Sequence, residues 1–193
     1  MIQTDGVAPA AKQRGWTKAR AILAGGLVLG VGAAITLAAW TDQEWAKGVF
    51  GSGQFGIQGA ADGSTFAEHP DQASAATLNF QVGADRLAPN DTVYAGYAVR
   101  LAPGSTNQAD VTVTQDDSAK ITGTTASYRY TTSATCDATA YGAGTNENGT
   151  SFELTALGTP VYLCFRVSAD STLPQGQDGT ILWNFAATSA DAL

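Results

Sequence analysis

Histidine, cysteine and positive charge are scarce in these 193 residues, and each shortage closes off a kind of chemistry. His69, in Ala67-Glu68-His69-Pro70, is the only histidine, so an HExxH motif or any other two-histidine zinc site cannot be built from this chain. A Ser-His-Asp triad would have to use His69, which sits beside a proline in a loop-like stretch, and no Gly-x-Ser-x-Gly elbow is present. The expectation is no catalytic residue, no metal ligand set and no cofactor. Basic residues are few where they would matter. From Ala39 onward there are 6 basic and 16 acidic residues, a net charge of −10, which is wrong for binding nucleic-acid phosphates. Also missing beyond residue 41 is any long apolar repeat at i, i+3, i+4, i+7, the sign of an amphipathic helix.

What is present falls into two chemically distinct parts. Lys12, Arg14, Lys18 and Arg20 oppose only Asp5, and they precede 21 uncharged residues from Ala21 to Thr41. As a helix this run would be about 31 Å long, enough to cross a bilayer. The basic flank keeps its own end cytoplasmic and sends the acidic body outward. Small residues in Thr36-Leu37-Ala38 fit a signal-peptidase site between Ala38 and Ala39, with Leu37-Ala38-Ala39 as a second register. The reading is a signal peptide over 1–38 and one exported domain over 39–193, touching a membrane only through an uncleaved signal segment. Cys136 and Cys164, the only cysteines, read as one disulfide in an oxidising compartment.

Period-two alternation dominates the body. Val93, Ala95, Tyr97, Val99 and Leu101 occupy one face of a strand. Val161, Leu163, Phe165 and Val167 occupy a second, and Ile181, Trp183 and Phe185 a third. Shorter runs lie at Leu78 to Val82, Val111 to Thr114 and Ala126 to Thr132, with a glycine-rich version at Val49 to Ile57. Turn signals such as Ala102-Pro103-Gly104 and Leu173-Pro174-Gln175-Gly176 separate them. Helical turns fit near Thr41 to Ala46 and Asp71 to Ala76, and Gly142 to Thr150 is the longest polar excursion. The fold class is therefore all-β, an antiparallel jelly-roll or Greek-key sandwich of seven or eight strands, preceded by the signal helix.

Two polar features invite a site. Asp116-Asp117 together with Asp62, Glu68 and Asp71 offer carboxylates to a cation, without EF-hand spacing, and the default is a solubilising surface. The sequons at Asn90 and Asn148 matter only in a eukaryotic secretory path and serve equally as turn residues.

The N-terminal third also resembles a known family. A basic start, a glycine-rich apolar run ending in Thr36-Leu37-Ala38, Trp40 and Asp42 just beyond it, and Phe50-Gly51-Ser52-Gly53 before the first strand are similar to the TasA/camelysin group of bacterial surface proteins, exported with SipW-type signal peptides. Leu101-Ala102-Pro103-Gly104 is similar to a turn of that family, and Leu87-Ala88-Pro89-Asn90 fits the same slot. The resemblance implies a jelly roll and, for some members, extracellular matrix fibres formed by passing the N-terminal strand of one subunit into the sheet of the next. It would make about 39–57 the donor segment, with Trp40, Trp45, Phe50 and Phe55 as anchors and a second copy of the chain as partner, signal peptidase acting only during export. The cysteine pair departs from the fibre-forming prototypes. The expected function is an exported structural or adhesive protein of the cell surface or biofilm matrix. The alternatives are a camelysin-like metalloprotease, for which one histidine is too few, and a glycan-binding module using Tyr94, Tyr128, Tyr130 and Tyr141 as exposed aromatics.

Overall fold

The structure is a computed structural model and describes residues 18–23, 42–80 and 83–193. Cleavage-site residues Ala38 and Ala39 and the anchor Trp40 lie outside the described residues. The chain divides after Phe50. In the first unit residues 18–23 are helical, while 42–50 carry no secondary structure and are exposed throughout, so the described part of the helical turn expected near Thr41 to Ala46 does not form. Among the described residues no helix is long and apolar enough to cross a membrane.

The second unit, Gly51–Leu193, is a sandwich of two antiparallel sheets. Its strands are β1 (Ile57–Ala60), β2 (Thr92–Leu101), β3 (Asn107–Asp116), β4 (Thr124–Thr131), β5 (Ser151–Leu154), β6 (Val161–Ala169) and β7 (Leu182–Ala192). One sheet has the order β1-β2-β6-β4 and the other β5-β3-β7, so every connection after β2 crosses between sheets. Alternation explains the layers. Val93, Ala95, Tyr97 and Val99 of β2 pair in register with Val167, Phe165, Leu163 and Val161 of β6, Leu101 pairs with Ile57 of β1, and of the β2 and β6 residues all but Val161 are fully buried. Val111 and Val113 of β3 meet Ala187 and Phe185 of β7 on the opposing layer. Three aromatic contacts between layers fix how the sheets overlie. Tyr97 stacks on Phe185 with ring centroids 5.3 Å apart, Phe165 meets Trp183 at 4.5 Å, and Tyr130 meets Phe152 at 5.7 Å. Thus β7 lies across β2 and β6, and β5 across β4.

Several expectations shift. The glycine-rich stretch Val49 to Ile57 is not a strand: Gln54 makes a single parallel bridge to Ser105, and the strand proper begins only at Ile57. Ala76, Leu78 and Phe80 do alternate half-buried with exposed Ala75, Thr77 and Asn79, yet the segment pairs with no strand; Gln81 and Val82 lie outside the described residues. The turn expected at Asp71 to Ala76 is a 3-10 turn at Gln72–Ser74, closed by reciprocal bonds between Asp71 and Ser74. A six-residue helix, Ala138–Ala143, has no counterpart in the sequence reading. Its N-cap Asp137 accepts the Ala140 amide at 2.8 Å, and its one fully buried residue is Tyr141.

Candidate functional site

Four strands face three, and the vacancy is beside β7. Since β5 covers β4 and β7 covers β2 and β6, nothing in the second sheet stands opposite β1. A groove of about 910 Å³ opens there, floored by Tyr97, Val99 and Phe165 and walled by Ile57 on one side and by Trp183 and Phe185 on the other. The inward faces of the flanking strands show the shortfall. Trp183, Phe185 and Ala187 point into the sandwich but are only half-buried, whereas their neighbours Val111 and Val113 on β3 are fully buried. β7 pairs with β3 on one edge and with no described strand on the other, so the backbone donors and acceptors of alternate residues along this eleven-residue strand face the vacancy.

The groove is crossed by the long connection between β1 and β2. Its residues Ala76, Leu78 and Phe80 pack on the core from the open side. Between 75 and 80 the backbone bonds are local, Ala75 donating to Gln72 and Phe80 to Leu78, with none to either flanking strand. Half-burial of a Leu and a Phe contributes about 1 kcal/mol each. A paired strand would add a net ~1 kcal/mol per ladder hydrogen bond. The segment is therefore held by side-chain burial alone.

The opposite flank is sealed. Tyr130 and Thr145 exchange backbone bonds at 3.0 Å, the Asn148 amide donates to the Tyr128 carbonyl at 2.9 Å, and both tyrosine hydroxyls donate to the Gly149 carbonyl, at 2.8 and 2.7 Å. Burial, with Tyr128 beside it, pushes the Tyr130 hydroxyl up to about 12. On the outer face of the four-stranded sheet the excursion 133–150 is tied down at three points. The Cys136–Cys164 disulfide, with Cα atoms 5.1 Å apart, anchors its start. Gly96, opposite Cys164 on β2, admits that loop, because a Cβ there would lie 2.8 Å from the Ala134 carbonyl oxygen. Beyond it, Glu147 accepts from Arg129 at 2.9 Å, from Arg166 at 3.0 Å and from the Tyr141 hydroxyl at 2.8 Å, and the two guanidinium groups lie over the Tyr141 ring. Since that hydroxyl gives its proton to the carboxylate, Ser127 must donate to Tyr141, at 2.8 Å. The Arg129 and Tyr141 bonds hold the Glu147 carboxyl below its ordinary range.

Of the residues singled out in the sequence, Cys136 and Cys164 are brought together as a disulfide, compatible with an extracellular location. Trp45 and Phe50 are 88% and 94% exposed in the first unit, and Phe55 stands on the groove rim at 41%. His69 and Glu68 line the same rim. Asp62, Asp71 and Asp116 turn their carboxylates onto backbone amides of their own turns, and Asp117 pairs with Lys120. Among the described residues no three of His, Cys, Asp and Glu come together as a metal set. The tyrosines expected to be exposed are not: Tyr128 and Tyr141 are fully buried and Tyr94 and Tyr130 half-buried, because their rings pack within the sandwich or under the excursion 133–150. Compared with family models, curated proteins and solved structures, the chain matches none. The groove itself was not legible. Trp183 and Phe185 announce a strand in the sequence but not an edge, and the strap at 76–80 carries the pattern of a strand without its partner.

Proposed function

We propose that this is an exported structural protein of the cell surface or biofilm matrix, a jelly roll resembling the TasA/camelysin group, whose subunits join by strand donation. The vacancy beside β7 carries this reading. One sheet is a strand short, and the same chain holds a segment, residues 42–50, that is exposed throughout, carries no secondary structure and bears Trp45, Val49 and Phe50. That segment, taken from a second copy, would pair its backbone with the free edge of β7 and complete the second sheet opposite β1. In extended form Trp45, Lys47 and Val49 share one face and would point into the groove, Phe50 the other. Val49, 82% exposed, joins Trp45 as an anchor. The groove lining holds Glu68, Asp71 and Asp116 and no Lys or Arg, so Lys47 finds complementary charge at the rim. The stretch from Gln54 to Ala60 is already bonded in its own sheet through Ser105 and β2, which leaves the part before Gly51 to be donated.

Burial of Trp45 and Val49 offers about 1.5–3 kcal/mol each. Repulsion between bodies of charge −10 works against it, so assembly should strengthen as salt screens that charge. The test is negative-stain microscopy of protein beginning at Ala39. Filaments that form faster in 0.5 M than in 0.05 M salt, about 4 and 14 Å screening lengths, and that disappear on deletion of residues 39–50, support the reading. A species that stays monomeric at high concentration, unchanged by the deletion, overturns it.

A further inference from the structure

The groove in the unassembled protein is partly filled, and by what is informative. Residues 75–80 lie across it as an extended segment whose even-numbered side chains, Ala76, Leu78 and Phe80, enter the sandwich. Their backbone is bonded to no strand on either side. Phe80, with Gly179, Ile181 and Trp183, also lines a second cavity of about 160 Å³, so it is the one strap residue that borders both. Compact turns hold both ends: the Asp71–Ser74 capping box before the segment, and the 3-10 turn Ala84–Arg86, entered through Gly83 at φ 106°, after it. A connection this long without strands of its own is the kind of element that carries function. Its side chains form a plug between two compact turns.

We propose that Ala75–Phe80 is a displaceable strap, which occupies the acceptor groove of the free subunit and is expelled when the donor segment of a second copy enters. The proposal rests on the strand-donation reading. It adds that the acceptor site is self-occupied, so that assembly is an exchange of one extended segment for another. The exchange runs toward the donor because the strap satisfies only apolar contacts, whereas the donor adds a ladder along β7. Removing the Phe80 ring would enlarge both cavities and open the groove before any donor arrives. A strap that protects Leu78, Phe80 and the groove floor from water also keeps newly exported subunits from offering an open apolar slot.

A single introduced thiol reads the strap directly, because the native cysteines are both in the disulfide. Exported protein carrying Leu78→Cys, at a concentration where it is monomeric, is mixed with a labelled synthetic peptide of residues 42–57. Peptide binding is followed by anisotropy and alkylation of the thiol by its rate. Saturating peptide should speed alkylation at least fivefold, while a peptide with Trp45→Ser and Val49→Ser should neither bind nor change the rate. In the otherwise native chain, Leu78→Ser with Phe80→Ser should raise peptide affinity about tenfold, and Phe80→Ala alone serves if the double variant does not fold. Binding only to these loosened variants also supports the strap. Binding with an unchanged alkylation rate overturns the strap and leaves strand donation standing. Absence of binding to native and loosened protein alike overturns both.

Discussion

Along the flank formed by β4 and β5, edge backbone is bonded to residues 145–150 and the cover is fixed by a disulfide and an ion-pair cluster; along the flank formed by β1 and β7, the cover is three apolar side chains on a segment without a ladder. Both flanks keep water from the same core. They differ in what opening them would break: hydrogen bonds, ion pairs and a covalent link on one side, the packing of three half-buried side chains on the other. The sealed flank is held by bonds that would have to break, whereas the strapped flank is held by side chains that the proposed exchange would replace with a paired strand.

The contrast can be broken at several strengths. Replacing both cysteines, Cys136→Ser with Cys164→Ser, should have the largest effect, roughly 3–4 kcal/mol on the chain-entropy estimate for a loop of this span. Urea unfolding of oxidised and variant protein measures it, and the loss should come without any change in peptide uptake at the opposite flank. Next, Leu154→Ala, at a position 1% exposed under the sealed flank, should cost about 3 kcal/mol, whereas Leu78→Ala on the strap should cost about 1 kcal/mol or less. Equal losses would mean that the strap is as integral to the core as β5. Tyr141→Phe, which leaves Ser127 without its hydroxyl partner and takes one of three donors from Glu147, should cost about 1 kcal/mol by the same unfolding measurement.

The smallest effect is that of acid. Because its partners hold Glu147 below the ordinary carboxyl range, its folded value lies under the unfolded one. The stability it contributes is complete above the ordinary value of about 4.3 and is lost as the pH falls through the lower folded value. Exchange of the 133–150 amides should therefore rise below that point, and Glu147→Gln should remove most of this dependence. Burial, with the Tyr128 neighbour, raises Tyr130 and so places its titration far from neutrality, leaving this flank insensitive between those limits.

How far this was legible in the sequence depends on what each pattern encodes. Alternation located β2, β6 and the first half of β7, since Tyr97, Phe165 and Trp183 each mark a face that must be buried. The same alternation at Leu78 and Phe80 marked burial correctly and pairing wrongly, because side-chain period reports a face and carries no information on which backbone lies alongside. β1 was hidden by Gly56 and Gly59, and β5 by its length, with only Phe152 and Leu154 turned inward. The helix at Ala138 contains Gly142 and Thr139 and owes its existence to Tyr141 seating under Arg129 and Arg166, a tertiary cause. Of the proposed site, the sequence suggested a donor segment, through Trp45, Phe50 and Phe55. The acceptor side depends on which strand ends up at an edge, and that follows from crossing connections rather than from any local run.

Hydrogen exchange on monomeric and assembled protein, read strand by strand, tests the central claim most directly. If the strapped flank receives a strand from a second copy, assembly should protect amides of β7 that were open in the monomer, while amides of β4 and of 145–150 keep the protection they already had. Assembled protein in which β7 exchanges as fast as in the monomer would contradict the account.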